Sequence, residues 1–268
     1  PRDPRADPDT DPRERDAGYM WTAIISDLHG NLAAAEEVFR DIRRRMIRDV
    51  VCLGDMIGYG PNPREVLDLC RDCRFVLMGN HEEAVMFYGE DFNEKARKAL
   101  EWTKEQLNST KYDRTENYEL WNFLGSLEES HTDDDVMYVH GSPRVPTKEY
   151  MVPGDVRNKD KMREVFALVE RICFVGHSHI PGVYTDSNRF YTPDRLGGTY
   201  SHNGGKALVN VGSVGQPRDG DPRSSYVTFD GKTMRFHRLD YDVEDTVKRI
   251  YATPGLPNYL ADRLLVGR

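Results

Sequence analysis

The sequence predicts an α/β fold, in which helices cover the faces of a β-sheet. Short apolar segments rich in β-branched residues recur along the chain, and helical periodicity lies between the first of them. Each segment ends in glycine or in polar residues, as strands do where they meet a loop. This alternation of strand and helix is typical of a sheet with helices packed on its faces.

The strands are expected at residues 21–26, 50–53, 75–78, 136–139, 172–175, 207–211, 226–229 and 233–237. The last two flank Asp230 and Gly231, a pair of turn residues that predicts a hairpin. A first helix is expected after Asn31, on an apolar stripe made of Leu32, Val38, Phe39, Ile42 and Met46. A second helix is expected at Asn62 and Pro63, with Asn62 as N-cap and Pro63 at the first helical position.

The chain is expected to contain one folded domain, at residues 19–268. Residues 1–18 are proline, aspartate and arginine with almost nothing apolar, so they are predicted to be a disordered N-terminal extension. Residues 88–129 are polar and helical and read as a helical insertion, either a lid over a substrate or an ordinary packing layer. Residues 186–205 are rich in glycine, tyrosine and asparagine and are expected to form a long loop.

Composition narrows the classes of partner. The formal net charge of −8 argues against nucleic acid, which is bound through a basic surface. No segment approaches the roughly 18 apolar residues of a membrane span, and no apolar secretory signal is seen at the N-terminus. The pair Cys70 and Cys73 stands alone, without the second pair of a zinc site. We therefore expect reduced thiols and a cytoplasmic location, and the oligomeric state stays open.

Polar residues with metal-binding chemistry follow five of the predicted strands. They are Asp27 and His29 after the first strand, Asp55 after the second, Asn80 and His81 after the third, His140 after the fourth, and His177 and His179 after the fifth. These positions hold five of the eight histidines of the chain. Ligands of open α/β sheets bind at the carboxyl ends of the strands. Imidazole, carboxylate and amide oxygen suit transition metals, so a metal site is predicted there.

The order of these motifs resembles that of the calcineurin-like metallophosphoesterase superfamily. The motifs are D-x-H, G-D, G-N-H-E, V-H-G and G-H-x-H, and the resemblance covers residues 21–239. Residues 53–63, 140–143 and 210–220 are most similar to the small prokaryotic branch of phosphodiesterases and diadenosine-tetraphosphatase-like proteins. The resemblance implies a four-layer αββα sandwich for the metallophosphoesterase domain.

The resemblance also implies a dinuclear metal site. The implied ligands are Asp27, His29, Asp55 and His179 for the first ion, and Asp55, Asn80, His140 and His177 for the second. Asp55 would bridge the two ions, and His81 would face the scissile phosphate as the catalytic residue. Mn²⁺ is the leading candidate for both ions, with Fe, Zn, Ni or Mg as alternatives. The implied reaction is hydrolysis of small phosphodiesters by a hydroxide that bridges the metals.

Three further residues are candidates for substrate binding, and each of them also has an ordinary structural explanation. Arg218 could contact a phosphate or form a surface salt bridge, Asn31 could bind substrate or cap a helix, and Tyr59 could shape the pocket or only pack. Arg144 has the same two possible roles as Arg218, whereas Glu82 and Glu83 are expected to be charges that support the metal ligands or begin a helix.

Other functions are weighed against the diesterase. A phosphomonoesterase that acts on nucleotides, dinucleoside polyphosphates or phosphoproteins is the first alternative. The protein Ser/Thr phosphatases of this superfamily carry an arginine a few residues after the second aspartate of the motifs. Here no arginine lies between Asp55 and Arg64, so action on phosphoproteins is the weaker alternative. The negative charge weighs against a nuclease. A catalytically silent metal-binding interaction module is the alternative of another class, and the presence of His81 with all seven ligand positions argues against it.

Overall fold

Two mixed six-stranded sheets form the centre of the fold in the computed structural model, which describes residues 21–87 and 92–268. The strands are β1 (Thr22–Ile25), β2 (Asp49–Cys52), β3 (Phe75–Val76), β4 (Ser130–Asp133), β5 (Val136–Val139), β6 (Ile172–Val175), β7 (Gly182–Thr185), β8 (Arg189–Tyr191), β9 (Thr199–Ser201), β10 (Ala207–Asn210), β11 (Ser224–Phe229) and β12 (Thr233–Leu239). The first sheet has the order β3-β2-β1-β11-β12-β9, and the second has the order β4-β5-β6-β10-β7-β8.

Each sheet contains three adjacent parallel strands, which form one half of the first sheet and the interior of the second. In the first sheet β1, β2 and β3 run parallel, and β11 joins β1 in the opposite direction. In the second sheet β5, β6 and β10 run parallel. The carboxyl ends of β1, β2, β3, β5 and β6 therefore present the polar residues that follow them, as the sequence predicts.

The helices are α1 (Leu32–Arg44), α2 (Pro63–Cys70), α3 (Asn80–Met86), α4 (Glu94–Leu107), α5 (Arg114–Gly125), α6 (Lys159–Leu168), α7 (Val243–Ala252) and α8 (Tyr259–Leu264). Asn31 caps α1 by accepting a hydrogen bond from the backbone N–H of Ala34 at 3.2 Å. Pro63 occupies the first turn of α2, but the side chain of Asn62 donates to Glu65 and caps no backbone group.

The central strands of both sheets are apolar on both faces, which explains why four layers form. In β1, Ile24 faces the apolar core between the sheets, while Ala23 and Ile25 face α1 and α2. In β6, Phe174 faces that same central core and Cys173 faces α6. Successive residues of a strand point to opposite faces, so a run without alternation needs cover on each side. The observed α/β architecture has the layers of the metallo-dependent phosphatase fold.

The helical segment within residues 88–129 is mainly a packing layer. Leu100 and Leu107 of α4 and Leu120 and Leu124 of α5 are buried in the same core as α1 and α2. The guanidinium of Arg64 on α2 reinforces this packing, since it donates to backbone oxygens of α4 and to a side chain of α5. Residues 88–91 of the predicted insertion lie outside the described residues.

Two expectations from the sequence are wrong. Residues 186–205 are not one loop, because they contain β8, β9 and a short 3₁₀ helix, Asp194–Leu196. These strands are short and polar and form only because β7 and β12 pair with them. Met46 does not belong to the buried stripe of α1, because the helix ends at Arg44 and Met46 is 78% exposed.

The remaining expectations concern the strand ends, the cysteines, membrane-spanning helices and the N-terminal extension. The eight predicted strands are present with ends within two residues of those expected, and the hairpin turn lies at Asp230 and Gly231. All four cysteines are free thiols. Within residues 21–87 and 92–268, no helix is both long and apolar enough to cross a membrane. The predicted extension, residues 1–18, lies outside the described residues.

Candidate metal centre

The seven side chains predicted as ligands meet where the carboxyl ends of the two sheets face each other. Two groups of donor atoms form there, and within each group the atoms lie within 4.8 Å of one another. The first group contains Asp27, His29, Asp55 and His179, and the second contains Asp55, His140 and His177. Asn80 joins the second group, because its Oδ1 lies 3.2 Å from His140 Nε2.

Asp55 lies between the two groups. Its Oδ2 is 3.7 Å from His29 Nε2 in the first group and 3.3 Å from His140 Nε2 in the second. The nearest pairs within the first group are Asp27 Oδ1 with His179 Nε2 at 3.0 Å and His29 Nε2 with His179 Nε2 at 3.2 Å. One carboxylate thus stands where it can contact both of two adjacent cations.

Each of the four imidazoles is oriented by a backbone carbonyl. The pairs are His29 Nδ1 with Ile57 O and His140 Nδ1 with Leu53 O, both at 3.1 Å, His177 Nε2 with Lys148 O at 3.1 Å, and His179 Nδ1 with Gln216 O at 2.5 Å. A carbonyl oxygen only accepts, so the nitrogen facing it carries the proton and the other nitrogen presents a lone pair to the centre. This is the usual arrangement of metal-ligating histidines.

The inward nitrogens of these rings face each other in pairs. His29 Nε2 and His179 Nε2 are 3.2 Å apart, and His140 Nε2 and His177 Nδ1 are 3.1 Å apart. Two lone pairs at this distance repel each other unless a proton or a cation lies between them. The donor set therefore fits cations better than it fits a purely hydrogen-bonded core.

Two buried carboxylates add negative charge to the centre. Burial alone raises the pKa of Asp27, but the imidazoles of His179 and His140 lower it below its usual range. The pKa of Asp55 is likewise held well below its usual range, since His140 and His81 outweigh the effect of burial. Buried charges need compensation. Asp27 Oδ1 accepts no hydrogen bond from the described residues, which leaves it open to a cation.

Most of the imidazoles are neutral. Burial lowers the pKa of His177 to about 3, and it lowers the pKa of His29 well below the ordinary value. His140 is the exception: burial opposes its charge, but Asp55 raises its pKa to about 9. The carboxylates thus attract positive charge to this point, whether it comes as a proton on His140 or as a metal cation.

The backbone of the centre adopts an uncommon conformation. Five of the predicted ligands have positive φ angles: Asp27 (56°), His29 (48°), Asp55 (52°), His177 (60°) and His179 (59°). Such left-handed backbone is rare for residues other than glycine, and it clusters at functional sites. Gly176 allows the close approach of these loops, since a Cβ there would lie 2.5 Å from Asp27 Oδ2.

His81 lies beside the two groups without belonging to either. Its backbone N–H donates to Asp55 Oδ1 at 2.9 Å, and its ring Nε2 is 4.0 Å from Asp55 Oδ2. The ring packs edge-on against Tyr59 at 4.4 Å and against Phe92 at 5.0 Å. Burial lowers the pKa of His81 to about 4, and Nδ1 has no hydrogen-bond partner among the described residues.

Glu82 of α3 connects the loop that carries Asp55 with the residue before α3, the helix that carries His81. Its carboxylate accepts from the backbone N–H groups of Asp55 (2.8 Å), Met56 (2.8 Å), Ile57 (3.2 Å) and Gly79 (3.0 Å). Burial and the charge of Asp55 raise the pKa of Glu82 to about 7, although these donors favour the ionised form. This agrees with the supporting role that the sequence suggests for Glu82, although the individual backbone partners became visible only in the structure.

The candidate substrate residues have different surroundings. Tyr59 lines a cleft of about 360 Å³ beside the second group, and its ring also contacts His29 at 4.6 Å. Arg218 donates to the neutral Gln216 Oε1 at 2.8 Å, and its guanidinium lies 5.9 Å from the Tyr59 ring, so it remains near the site. Arg144 instead forms ion pairs with two glutamates, Glu149 and Glu164.

The hydrogen-bonding groups of Asn31 are used inside the protein. Besides capping α1, its Oδ1 accepts from the hydroxyl of Thr246 at 2.8 Å. Its Nδ2 donates to Gly215 O at 2.8 Å and to the hydroxyl of Tyr241 at 3.2 Å. Of the two roles that the sequence leaves open, this geometry favours capping.

One aromatic residue at the site has no signal in the sequence. The Tyr150 ring stacks on His177 at 3.7 Å and lines the cleft with Tyr59 and Phe92. Tyr150 lies in an irregular segment between β5 and α6, outside the motifs and 27 residues from His177. Only the folded structure brings it beside the metal centre.

Comparison with known proteins identifies the family. Residues 20–234 match the Calcineurin-like phosphoesterase superfamily domain. The chain is 37% identical over 258 residues to an uncharacterized protein of Methanocaldococcus jannaschii, and this match covers 92% of the chain and 98% of the relative. The protein therefore belongs to the calcineurin-like phosphoesterase superfamily, as the motifs predict.

Two crystal structures are similar over nearly the whole chain. A metallophosphoesterase from Sphaerobacter thermophilus is 35% identical, with a TM-score of 0.78 and coverage of 94% of this chain and 100% of that one. A hypothetical protein from Pyrococcus horikoshii OT3 is 18% identical, with a TM-score of 0.72 and coverage of 92% and 98%. The second likeness concerns the fold alone. Both agree with the predicted metallo-dependent phosphatase fold.

Proposed function

We propose that the protein is a dinuclear-metal-dependent phosphoesterase that hydrolyses small phosphodiesters. The observation that carries this proposal is the pair of donor groups that share Asp55, buried at the meeting point of both sheets. Two divalent ions bound there, with Mn²⁺ as the leading candidate, would lower the pKa of an attacking water and neutralise phosphoryl oxygens. We also propose a cytoplasmic location, because the free thiols suit a reducing compartment.

The protein's own residues have separate tasks in this proposal. Asp27, His29, Asp55 and His179 would hold one ion, and Asp55 with Asn80, His140 and His177 would hold the other. His81 would face the scissile phosphate, where it donates a hydrogen bond to a phosphoryl oxygen or a proton to the leaving alkoxide. Its position beside Asp55 and its ring nitrogen without a partner support this role.

The cleft beside the second donor group favours a diester over a monoester. Its volume of about 360 Å³ gives room for an ester arm beyond the phosphate. The phosphomonoesterase remains the second candidate. It is favoured by Arg218, whose positive charge near the centre suits the dianion of a monoester.

The test is hydrolysis of bis(4-nitrophenyl) phosphate and of 4-nitrophenyl phosphate, after chelator treatment and with or without added Mn²⁺. We expect metal-dependent release of nitrophenolate, faster from the diester, and a faster monoester would favour the second candidate. Silence on both esters with two metals bound per chain would indicate a binding module. Silence without bound metal would refute the proposal.

Two variants separate metal binding from the role of His81. Asp55→Asn should lose metal at both positions and all activity. His81→Asn should keep both metals by elemental analysis but lose activity by about 10²–10⁴-fold, the usual range for a general acid or base. Normal turnover in His81→Asn would contradict the role assigned to that residue.

A further inference from the structure

The cleft beside the metal centre has walls that go beyond what phosphate hydrolysis requires. Tyr59, Phe92 and Tyr150 line it, and two predicted ligands, Asn80 and His177, form its inner end. A phosphate held at the metals would therefore carry one of its ester groups into this space. The residues of the cleft then decide which ester group fits.

Three aromatic rings, those of Tyr59, Phe92 and Tyr150, form part of the walls of the cleft. Tyr150 stacks one ring face on His177, with 3.7 Å between centroids and 23° between planes. Since Tyr150 is 47% exposed, part of its ring remains accessible to a ligand. Phe92 precedes α4, and its edge-on contact with His81 at 5.0 Å holds it beside the cleft. These rings are carried by different segments and meet only at this place.

The cleft carries no net formal charge. The charged side chains among its described lining residues are Glu83 and Lys148, and these form an ion pair at 2.8 Å. Among these lining residues, a second phosphate or a carboxylate on the ester arm would meet only a cation that is already paired, Lys148. The guanidinium of Arg218 lies outside the lining, 5.9 Å from the Tyr59 ring. A planar, uncharged group would instead replace water against apolar ring faces, which is favourable for every base that has a π-face.

The size of the cleft sets a further limit. Its volume of about 360 Å³ is at the lower end of the range for small-molecule sites. It suits a single group of nucleoside size rather than a polymer. The ion pair of Glu83 and Lys148 and the amide of Asn93 could meet the polar edge of such a group.

We propose that Tyr150 and Phe92 select phosphate esters whose arm carries a planar heteroaromatic group of nucleoside size. This inference rests on the proposed function, because it assumes that the phosphate lies at the metal centre. Tyr150 and Phe92 are specificity-determining residues here and take no part in bond breaking. Esters with aliphatic or polyanionic arms bind less tightly.

The test compares three probes in the Mn²⁺-loaded protein: adenosine 5′-monophosphate, ribose 5-phosphate and inorganic phosphate. Each is measured by calorimetric titration and as a competitive inhibitor of diester hydrolysis. We expect adenosine 5′-monophosphate to bind at least about tenfold more tightly than ribose 5-phosphate, the order of one base–aromatic stack. Equal binding of these two probes would overturn the inference.

Variants assign the preference to the rings. Phe92→Leu and Tyr150→Leu should each reduce the preference to about twofold, with inorganic phosphate binding unchanged, while Tyr150→Phe should keep it. Tyr118→Leu removes a tyrosine that is 65% exposed on α5 and serves as the matched control. If Tyr150→Leu also weakens phosphate binding through His177, Phe92→Leu decides alone. Leu variants that keep the tenfold preference would refute the assignment.

The two proposals fail in different ways. If wild-type protein shows neither metal-dependent hydrolysis nor binding of inorganic phosphate, the proposed function itself fails. If hydrolysis and phosphate binding persist but the base adds no affinity, only the role of the aromatic cleft is refuted.

Discussion

The imidazoles of the centre are held by backbone carbonyls, so the position of each ring depends on a loop. His29 and His140 contact the carbonyls of Ile57 and Leu53, which lie two residues on either side of Asp55 in its loop. Glu82 fixes that same loop through three backbone hydrogen bonds and accepts a fourth from Gly79. Residues with no donor atom facing the centre therefore control its geometry.

Gly58 gives a direct test of this control. Its φ is +81°, and a Cβ there would lie 2.0 Å from His81 Nδ1, so Gly58→Ala must displace the His81 ring. We expect both metals to remain bound while diester hydrolysis falls by about 10²–10⁴-fold, as for loss of His81 itself. Elemental analysis and kcat measurement check the two parts.

Gly154→Ala is the matched control for this variant. A Cβ at Gly154 would meet nothing within 4 Å, so activity and metal content should stay at wild-type values. A Gly58→Ala protein with full activity would show that the His81 ring has freedom to move without cost.

At the scale of residues, the sequence predicted which side chains form the centre but not the contacts that they make. Asp27 and the other six donors stand out in the sequence because each follows an apolar strand and belongs to a short motif. Tyr150 does not stand out, since its partner His177 is 27 residues away along the chain and no local pattern links them. Long-range contacts made by loops leave no periodic trace.

At the scale of elements, one polar network joins the first sheet to α1. Tyr226 on β11 donates to Asp41 of α1 at 2.6 Å, and Arg45 donates to the same carboxylate at 2.8 Å. His237 on β12 stacks on Tyr226 at 4.6 Å and contacts the hydroxyl of Thr228. Burial, assisted by Arg45, lowers the pKa of the partly buried His237 to about 3.

This shift predicts a loss of stability in mild acid. Because the folded pKa of His237 lies below the ordinary 6.5, the unfolded chain gains a proton that the folded chain refuses. The contribution of the neutral His237 to the free energy of unfolding is complete above pH 6.5, and it decreases as the pH falls from there towards 3. One such proton costs at most about 1.4 kcal/mol per pH unit.

His237→Gln isolates this contribution, since glutamine retains a polar contact with Thr228 but does not titrate. Denaturant unfolding of wild type and variant at pH 7 and pH 5 gives the two free energies. We expect the wild type to lose up to about 2 kcal/mol more than the variant over this interval. Parallel pH profiles would show that His237 titrates normally in the fold.

Most of the buried strands could be predicted from the sequence, although the buried strand β7 was not. β1, β2, β5 and β6 are apolar on both faces, so their sequences alone mark them as strands. β8 and β9 are three-residue strands with exposed polar residues, and only pairing to their neighbours makes them strands. Their formation depends on tertiary contacts that no local propensity records.

At the scale of the whole molecule, each donor group draws on both sheets. Asp27, His29 and Asp55 follow strands of the first sheet, and His140, His177 and His179 follow strands of the second. Any ion bound by either group would therefore connect the two sheets. The αββα architecture was predictable through the family, but this connection became visible only with the strand order.

Metal removal should consequently destabilise the whole fold. An ion present at about a thousand times its Kd adds about 4 kcal/mol to the free energy of unfolding. We expect Tm to fall after chelator treatment and to recover with Mn²⁺. Asp55→Asn should abolish this response, although asparagine tolerates the φ of 52° and can still accept from His81 N–H. An equal rise in both proteins would show that the stabilising ion binds elsewhere.

The strand order also sets a schedule for biosynthesis. β1 lies between β2 and β11, and Thr22 pairs with Phe229. On the ribosome the side of β1 that pairs with β11 therefore stays unpaired until about 200 further residues are made, which takes about 10–40 s at usual elongation rates. His29 and His179, 150 residues apart, also cannot meet before most of the chain has emerged. A nascent chain thus exposes isolated imidazoles and carboxylates but no complete centre, so any metal that the centre binds would enter only after most of the chain has emerged.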